Sequence, residues 1–294
     1  MSEGIALSVT VSGVSRLFGA GPDALLEAAR IADAVGIDQL AFPDHLAIGP
    51  RTDRYPYGRF PFGADEPWLE PLTAMAAVAA ATRRLRIASA VLVAPLRPAL
   101  VLAKTLATLN WLSDGRLDLG VGVGWQPEEF DGAGVRFRGR GARLDDSLRA
   151  CRVLWRDAPA SFESATVRFR DLRCLPRPRQ PGGIPIWFGG AASPRNAARI
   201  AELGAGWMPV SGGEAELGQG IAALREAFAR AGRDPASLGV RAPVPAEGDL
   251  SRCLAALPAL AGLGVTVAAF PLARFARAPG EVRPFLERLG RARP

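Results

Sequence analysis

Short apolar runs alternate with stretches of helical length eight times along this chain, and that rhythm limits the fold more than any other feature. The runs fall at 5–11, 38–42, 85–92, 117–121, 184–188, 206–210, 238–244 and 265–270. Helix-like stretches follow them at 22–35, 68–82, 97–112, 142–156, 194–203, 214–231, 249–261 and 280–290. Eight strand–helix pairs in 294 residues predict an α/β chain folded as one domain over residues 1–294, a closed parallel (β/α)8 TIM barrel. An open doubly wound sheet, the alternative, would use fewer repeats in this length.

Local punctuation agrees with that register. Helix 22–35 opens on Pro22 and Asp23 and stops at Gly36, and helix 194–203 has Ser193, Pro194 and Gly204 in the matching places. Two connections are longer than a barrel needs. Residues 43–67, after strand 2, carry Tyr55, Tyr57, Phe60 and Phe62 between Phe42 and Trp68. Residues 157–183, after helix 4, contain a hairpin-like stretch and then PRPRQPGG. Such excursions tend to be lids or binding loops. The uncharged segment 253–273 is long enough to raise a membrane reading. Pro258, Gly262, Gly264 and Pro271 punctuate it, so it reads as a core helix, a turn and a buried strand.

Composition removes several chemistries. Apolar residues make up 49% of the chain and charged ones 22%, enough to fill a core. Of 36 basic residues only Lys104 is a lysine, and His45 is the single histidine. A multi-histidine metal centre is therefore excluded, and no metal site is expected. Cys151, Cys174 and Cys253 lack CxxC spacing and read as buried apolar residues. The net charge of +7 is spread along the chain rather than clustered, which argues against nucleic acid as partner. The first twenty residues have Glu3 and no basic segment ahead of an apolar one, so a cytoplasmic chain without membrane contact is expected.

Chemistry in such a barrel sits at the C-terminal ends of the strands. Strand 2 ends in Pro43-Asp44-His45, where a carboxylate beside a histidine could hold one tautomer. Strand 4 runs into GVGVGWQPEEF, where Gly120, Gly122 and Gly124 let backbone approach a flat ligand and Trp125 could bound a pocket. Glu128 and Glu129 read as a solvated pair at a helix start. After strand 5, Gly189, Gly190 and the start of helix 194–203 could cradle a phosphate, with Arg195 as a second donor. So few acids, bases and nucleophiles point to a bound organic cofactor as the source of the chemistry.

The segments FPDHL (42–46), ATRRLRIASAVLVAPLRPALVLAKTLATLNWLSDGRLDLGVGVGWQPEEF (81–130), GVRFRGRGARLDDSLRACRVLW (134–155) and PIWFGGAASPRNAARIAELGAGWMP (185–209) resemble the luciferase-like monooxygenase superfamily. They are most similar to its branch assigned to coenzyme F420, common in actinobacteria. The resemblance implies an oxidoreductase with a deazaflavin or flavin at the barrel mouth and a small organic substrate. It also implies a non-prolyl cis peptide at Ala90–Val91 backing the ring and Gly122 and Gly124 beside it. Gly189, Gly190 and Ala191 would lie at the phosphate, with Asp44 and His45 at the ring and His45 as proton donor or base. FMN, with oxygen addition, is the alternative cofactor, and a non-catalytic flavin-binding barrel is the alternative of another class. Relatives that oxidise sugar phosphates carry a glutamate where Trp125 stands and use lysines for the phosphate, which points away from that substrate. Pairing into a homodimer is left open.

Overall fold

The structure is a computed structural model that describes residues 4–19, 21–63, 65–210 and 213–292. Its eight barrel strands are β1 Ala6–Thr10, β2 Gln39–Phe42, β3 Arg86–Ser89 with a continuation at Leu92–Val93, β4 Leu117–Gly122, β5 Ile186–Gly189, β6 Gly206–Met208, β7 Gly239–Pro243 and β8 Val267–Pro271. Each pairs in parallel with its sequence neighbours. The ring is sealed where β8 pairs with β1 and where β3 pairs with both β2 and β4. The expected barrel is the observed one.

The helices α1 Pro22–Ala34, α2 Pro71–Ala81, α3 Ala99–Leu112, α4 Arg140–Arg156, α5 Pro194–Leu203 and α6 Glu214–Arg230 each follow a strand. The seventh, α7, differs from the expected single helix at 249–261: it breaks into Leu250–Ala255 and Leu257–Leu263. Pro258 has no N–H to continue the first piece, so the ladder restarts at Ala256. The last helix is α8 Pro279–Arg291. Helical turns at Val14–Phe18, Pro127–Gly132 and Leu272–Phe275 lie in strand–helix connections and have no counterpart in the sequence rhythm. The hairpin pairs Ala160–Glu163 with Arg168–Leu172. The uncharged segment 253–273 folds as the second half of α7, a left-handed Gly264 and β8; no helix among the described residues is long and apolar enough to cross a membrane.

Strand alternation sorts side chains into two layers. Outward residues such as Leu7, Val9, Leu119, Val121, Ile186 and Phe188 pack under the helices, against Leu102, Leu106 and Phe228 among others. The inward layer is more polar: Ser8, Gln39, Asp118 and Arg241 form one hydrogen-bonded group. Below the mouth, Trp187 fills the space left by two missing side chains. A Cβ on Gly206 or Gly239 would lie 2.3 or 2.4 Å from its indole.

Candidate active site

The C-terminal ends of all eight strands open on one cavity of about 660 Å³, within the usual range for a small-molecule site. One wall comes from β3 and β4. The Ala90–Val91 peptide is cis and interrupts β3 between Ser89 and Leu92. Glycines let this bulge sit close against its neighbours: a Cβ on Gly122 would come within 2.7 Å of Val91 Cγ2, and one on Gly189 within 2.9 Å of Val91 Cγ1. Gly124 is left-handed and its Cβ would meet Phe130 and Val93 at 2.7 Å. In GVGVG, then, Gly120 and Gly122 share the inward face of β4 while Val121 points out under the helices.

His45 faces this cavity from the loop after β2 and is 9% exposed. Its carboxylate partner is not the adjacent Asp44. Nδ1 lies 3.2 Å from Glu129 Oε2, and the Leu46 N–H donates to Glu129 Oε1 at 2.6 Å. Glu129 is therefore not the solvated residue expected from sequence: it is 2% exposed, because the helical turn Pro127–Gly132 aims it back under the β2 loop. Glu128 is half-buried with its Cβ against Gly49. With a carboxylate at Nδ1, the proton of neutral His45 belongs on that nitrogen and Nε2 is left toward the cavity.

Asp44 serves a different partner. It accepts from Arg97 Nη1 and Nη2 at 2.7 and 3.2 Å and from the Val93 N–H at 2.8 Å, while Arg97 also binds Glu70 at 2.7 Å. Burial pushes the Asp44 carboxyl up from its ordinary range, and the Arg97 fork pulls against it. Arg97 thus ties the loop after β2 to the chain just beyond the cis bulge.

Aromatic residues from the long β2 loop roof the cavity. The His45 ring meets Phe60, Trp68 and Trp125 edge-on at centroid distances of 6.0, 4.9 and 5.9 Å. Tyr55 stands 5.3 Å from Trp125 and 5.5 Å from Tyr57. The indole Nε1 atoms of Trp68 and Trp125 are buried and have no acceptor among the described residues. Gln126 clasps the loop by accepting the Gly49 N–H at 2.8 Å and donating to its carbonyl at 3.1 Å.

A second cavity of about 550 Å³ adjoins the first, sharing Tyr57, Gly190, Pro209 and Val210 and reaching the start of α5. Gly190 is left-handed there. Trp207 Nε1 donates to the Gly190 carbonyl at 2.7 Å and Asn196 Nδ2 to the Ala191 carbonyl at 2.9 Å. Ala191 lines this second cavity. Of the residues singled out from sequence, Asp44, His45, Ala90, Val91, Gly122, Gly124, Trp125, Gly189 and Gly190 line the first cavity. Arg195 lines neither; it is exposed and lies over Gly141 at the first turn of α4. The arginines that line the first cavity are instead Arg54, Arg140 and Arg241, and Arg140 donates to the Gly124 carbonyl at 3.0 Å. Glu129, Arg97, Gln126 and Arg241 are further members of the site that sequence motifs did not isolate.

Residues 3–249 match the family described as luciferase-like monooxygenase. The chain belongs to that family, a class of oxidoreductases built on this barrel. It is similar to the uncharacterised protein Rv0953c of Mycobacterium tuberculosis, 32% identical over 211 residues that cover 70% of this chain and 74% of that one. It is 34% identical over 226 residues to the F420-dependent glucose-6-phosphate dehydrogenase of Rhodococcus erythropolis, covering 74% of this chain and 62% of that longer one. Among solved structures, the monooxygenase RslO1 of Streptomyces bottropensis superposes with a TM-score of 0.78 at 21% identity, over 98% of both chains.

Proposed function

We propose that this chain is a coenzyme F420-dependent oxidoreductase that moves a hydride between the deazaflavin and a small organic substrate held under the aromatic loop. The observation that carries this reading is the cavity wall: a cis bulge at Ala90–Val91, flanked by glycines, faced by the one histidine of the chain. That wall fits a flat ring. Side chains are missing at Gly122 and Gly189 where they would crowd the bulge, and at Gly124 where one would strike Val93 and Phe130. The second cavity, with Gly190, Ala191 and the start of α5, supplies a place for a phosphate without any lysine. Lys104 is spent on the Leu175 carbonyl, far along α3.

A deazaflavin bound there would exchange a hydride at its C5. Everything else falls to the protein. The Ala90–Val91 bulge and the glycines hold the ring plane. His45 Nε2 takes the proton from a substrate hydroxyl in oxidation, or returns it to a carbonyl oxygen in reduction. Glu129 fixes the His45 ring from behind and stabilises it when protonated. Tyr55, Phe60, Trp68 and Trp125 exclude water and favour a flat or apolar substrate body. The F420-dependent relative supports this cofactor choice, whereas the family's description as luciferase-like monooxygenase keeps FMN with oxygen addition as the second reading.

Titration of the purified protein with F420 and with FMN, followed by ligand absorbance and tryptophan fluorescence, separates the two. The expected result is saturable F420 binding at least roughly tenfold tighter than FMN, about 1.4 kcal/mol. Tight FMN binding with negligible F420 binding would replace the proposal with the monooxygenase reading.

A further inference from the structure

Arg241 is the one charged residue in the strand sequence GVRAP of β7, and the alternation of that strand turns it inward. Its backbone is in register with Val267 of β8 and, through it, with Ala6 of β1. The side chain nevertheless reaches Ser8 and Thr10, two and four residues further along β1, so it climbs toward the mouth. Arg241 Nε donates to Ser8 Oγ at 3.2 Å and Gln39 Oε1 at 3.1 Å; Nη2 donates to Ser8 Oγ at 3.1 Å and Thr10 Oγ1 at 2.7 Å. These acceptors are all neutral. Nη1 has no acceptor among the described residues, and Arg241 lines the active-site cavity while only 7% exposed.

A buried cation is normally matched by a buried anion, because desolvation is costly and neutral acceptors repay only part of it. Here no described carboxylate forms an ion pair with Arg241. Asp118, the carboxylate whose field reaches it, is committed to Arg86 at 2.6 and 2.8 Å and to the Gln39 amide at 2.9 Å. That commitment also orients Gln39, whose amide donates to Asp118 and so presents Oε1 to Arg241. Burial draws the guanidinium pKa down to about 10, which still leaves it charged at neutral pH. The result is a rigidly held cation at the cavity floor, with Nη1 free and no carboxylate paired to it.

We propose that Arg241 is a receptor for a planar oxyanion at the floor of the active-site cavity. It takes a carboxylate of the substrate, or the C2 carbonyl of the cofactor ring where ring reduction would leave negative charge on that oxygen; either offers an acceptor to the free Nη1. With the first source, the substrate is an organic acid whose apolar body lies under the aromatic roof. This inference rests on the cavity being the reaction site, but its test does not, since binding is read in protein free of cofactor.

The probe is benzoate, titrated into cofactor-free protein with tryptophan fluorescence as readout, Trp68 and Trp125 being in the same cavity. Two variants are compared with the parent chain. Arg241→Gln removes the charge, and Thr10→Asp keeps Arg241 but places a carboxylate beside its Nη2, supplying an internal counter-charge in place of the ligand's. Each protein is also titrated with F420, and circular dichroism melting checks the fold. Weakening of benzoate by roughly tenfold or more in both variants, with F420 binding kept, assigns the receptor to the substrate. Weakening of F420 by a similar factor assigns it to the cofactor edge. Benzoate and F420 affinities both within twofold of the parent in a folded Thr10→Asp or Arg241→Gln protein overturn the proposal.

Discussion

At the scale of single residues, His45 and Glu129 form a unit that the backbone brings together from 84 residues apart. His45 offers a free Nε2 to the cavity, and Glu129 uses both oxygens to hold the ring and the Leu46 N–H behind it. A positioned acid–base group contributes about 10²–10⁴-fold to a rate, so His45→Ala should lower kcat by that order. Glu129→Gln keeps the shape but loses the charge, and its expected cost is smaller, about tenfold to a hundredfold in kcat, with cofactor affinity within twofold. Because the two act together, the double variant should be no slower than His45→Ala alone. Steady-state kinetics on the three proteins checks this. Additive losses would mean that Glu129 acts on something other than His45.

At the scale of elements, the loops after the strands line the cavity and the helix ends fix where those loops begin. Asp33 in the last turn of α1 shows how. Its Oδ2 accepts the Arg83 N–H at 2.8 Å, and Oδ1 accepts those of Arg84 and Leu85 at 3.0 and 2.7 Å. It therefore pins the α2–β3 turn that delivers β3 and its bulge. Burial would raise the Asp33 pKa, but the three backbone donors outweigh it and leave it below the unfolded value of 3.8. The stabilisation is thus present at neutral pH and is lost as pH falls through the acid range. Asp33→Ala should cost about 1–2 kcal/mol in denaturant unfolding at pH 7, a site partly open to water. That difference from the parent should shrink once the pH drops below about 4. A difference that stayed constant down to pH 3 would refute the carboxylate's role in the turn.

The same scale explains what the sequence made legible. Strand–helix alternation, proline starts and glycine stops are local patterns, so the barrel, its strand ends and its two long connections could be read directly. So could Asp44, His45 and the glycines, which lie immediately after strands. The partners could not. Arg97 meets Asp44 across 53 residues, and Arg241 meets Ser8 across 233. No local periodicity reports such pairings. One signal was present: an arginine at an inward position of an otherwise uncharged strand. Glu129 was masked differently, because two adjacent acids at a helical start usually face water, and only the path of the β2 loop buries one of them.

At the scale of the whole molecule, the arginine excess turns out to be structural as often as electrostatic. Arg116 donates to the carbonyls of Ala79, Thr82, Leu85 and Ser113, and Arg233 to those of Ile200, Ala201 and Gly204. Both groups of carbonyls lie at the C-terminal ends of helices or just beyond, where cations also meet the favourable end of the helix dipole. The barrel is thereby stitched from outside, while the cavity at the mouth is lined by all eight strand ends. A ligand that binds there binds the folded chain and not the unfolded one, so its binding energy is added to the stability of the folded chain as a whole. At a free cofactor concentration a hundred times its Kd the gain is about 2.7 kcal/mol, which corresponds to a rise in Tm of roughly 5 °C for a chain of this size. F420 should produce that rise and FMN at equal concentration, bound tenfold or more weakly, about half of it or less, measured by differential scanning fluorimetry or calorimetry. Equal shifts for both would place recognition in the ring and phosphate that the two share, and would remove cofactor preference from the properties of this barrel.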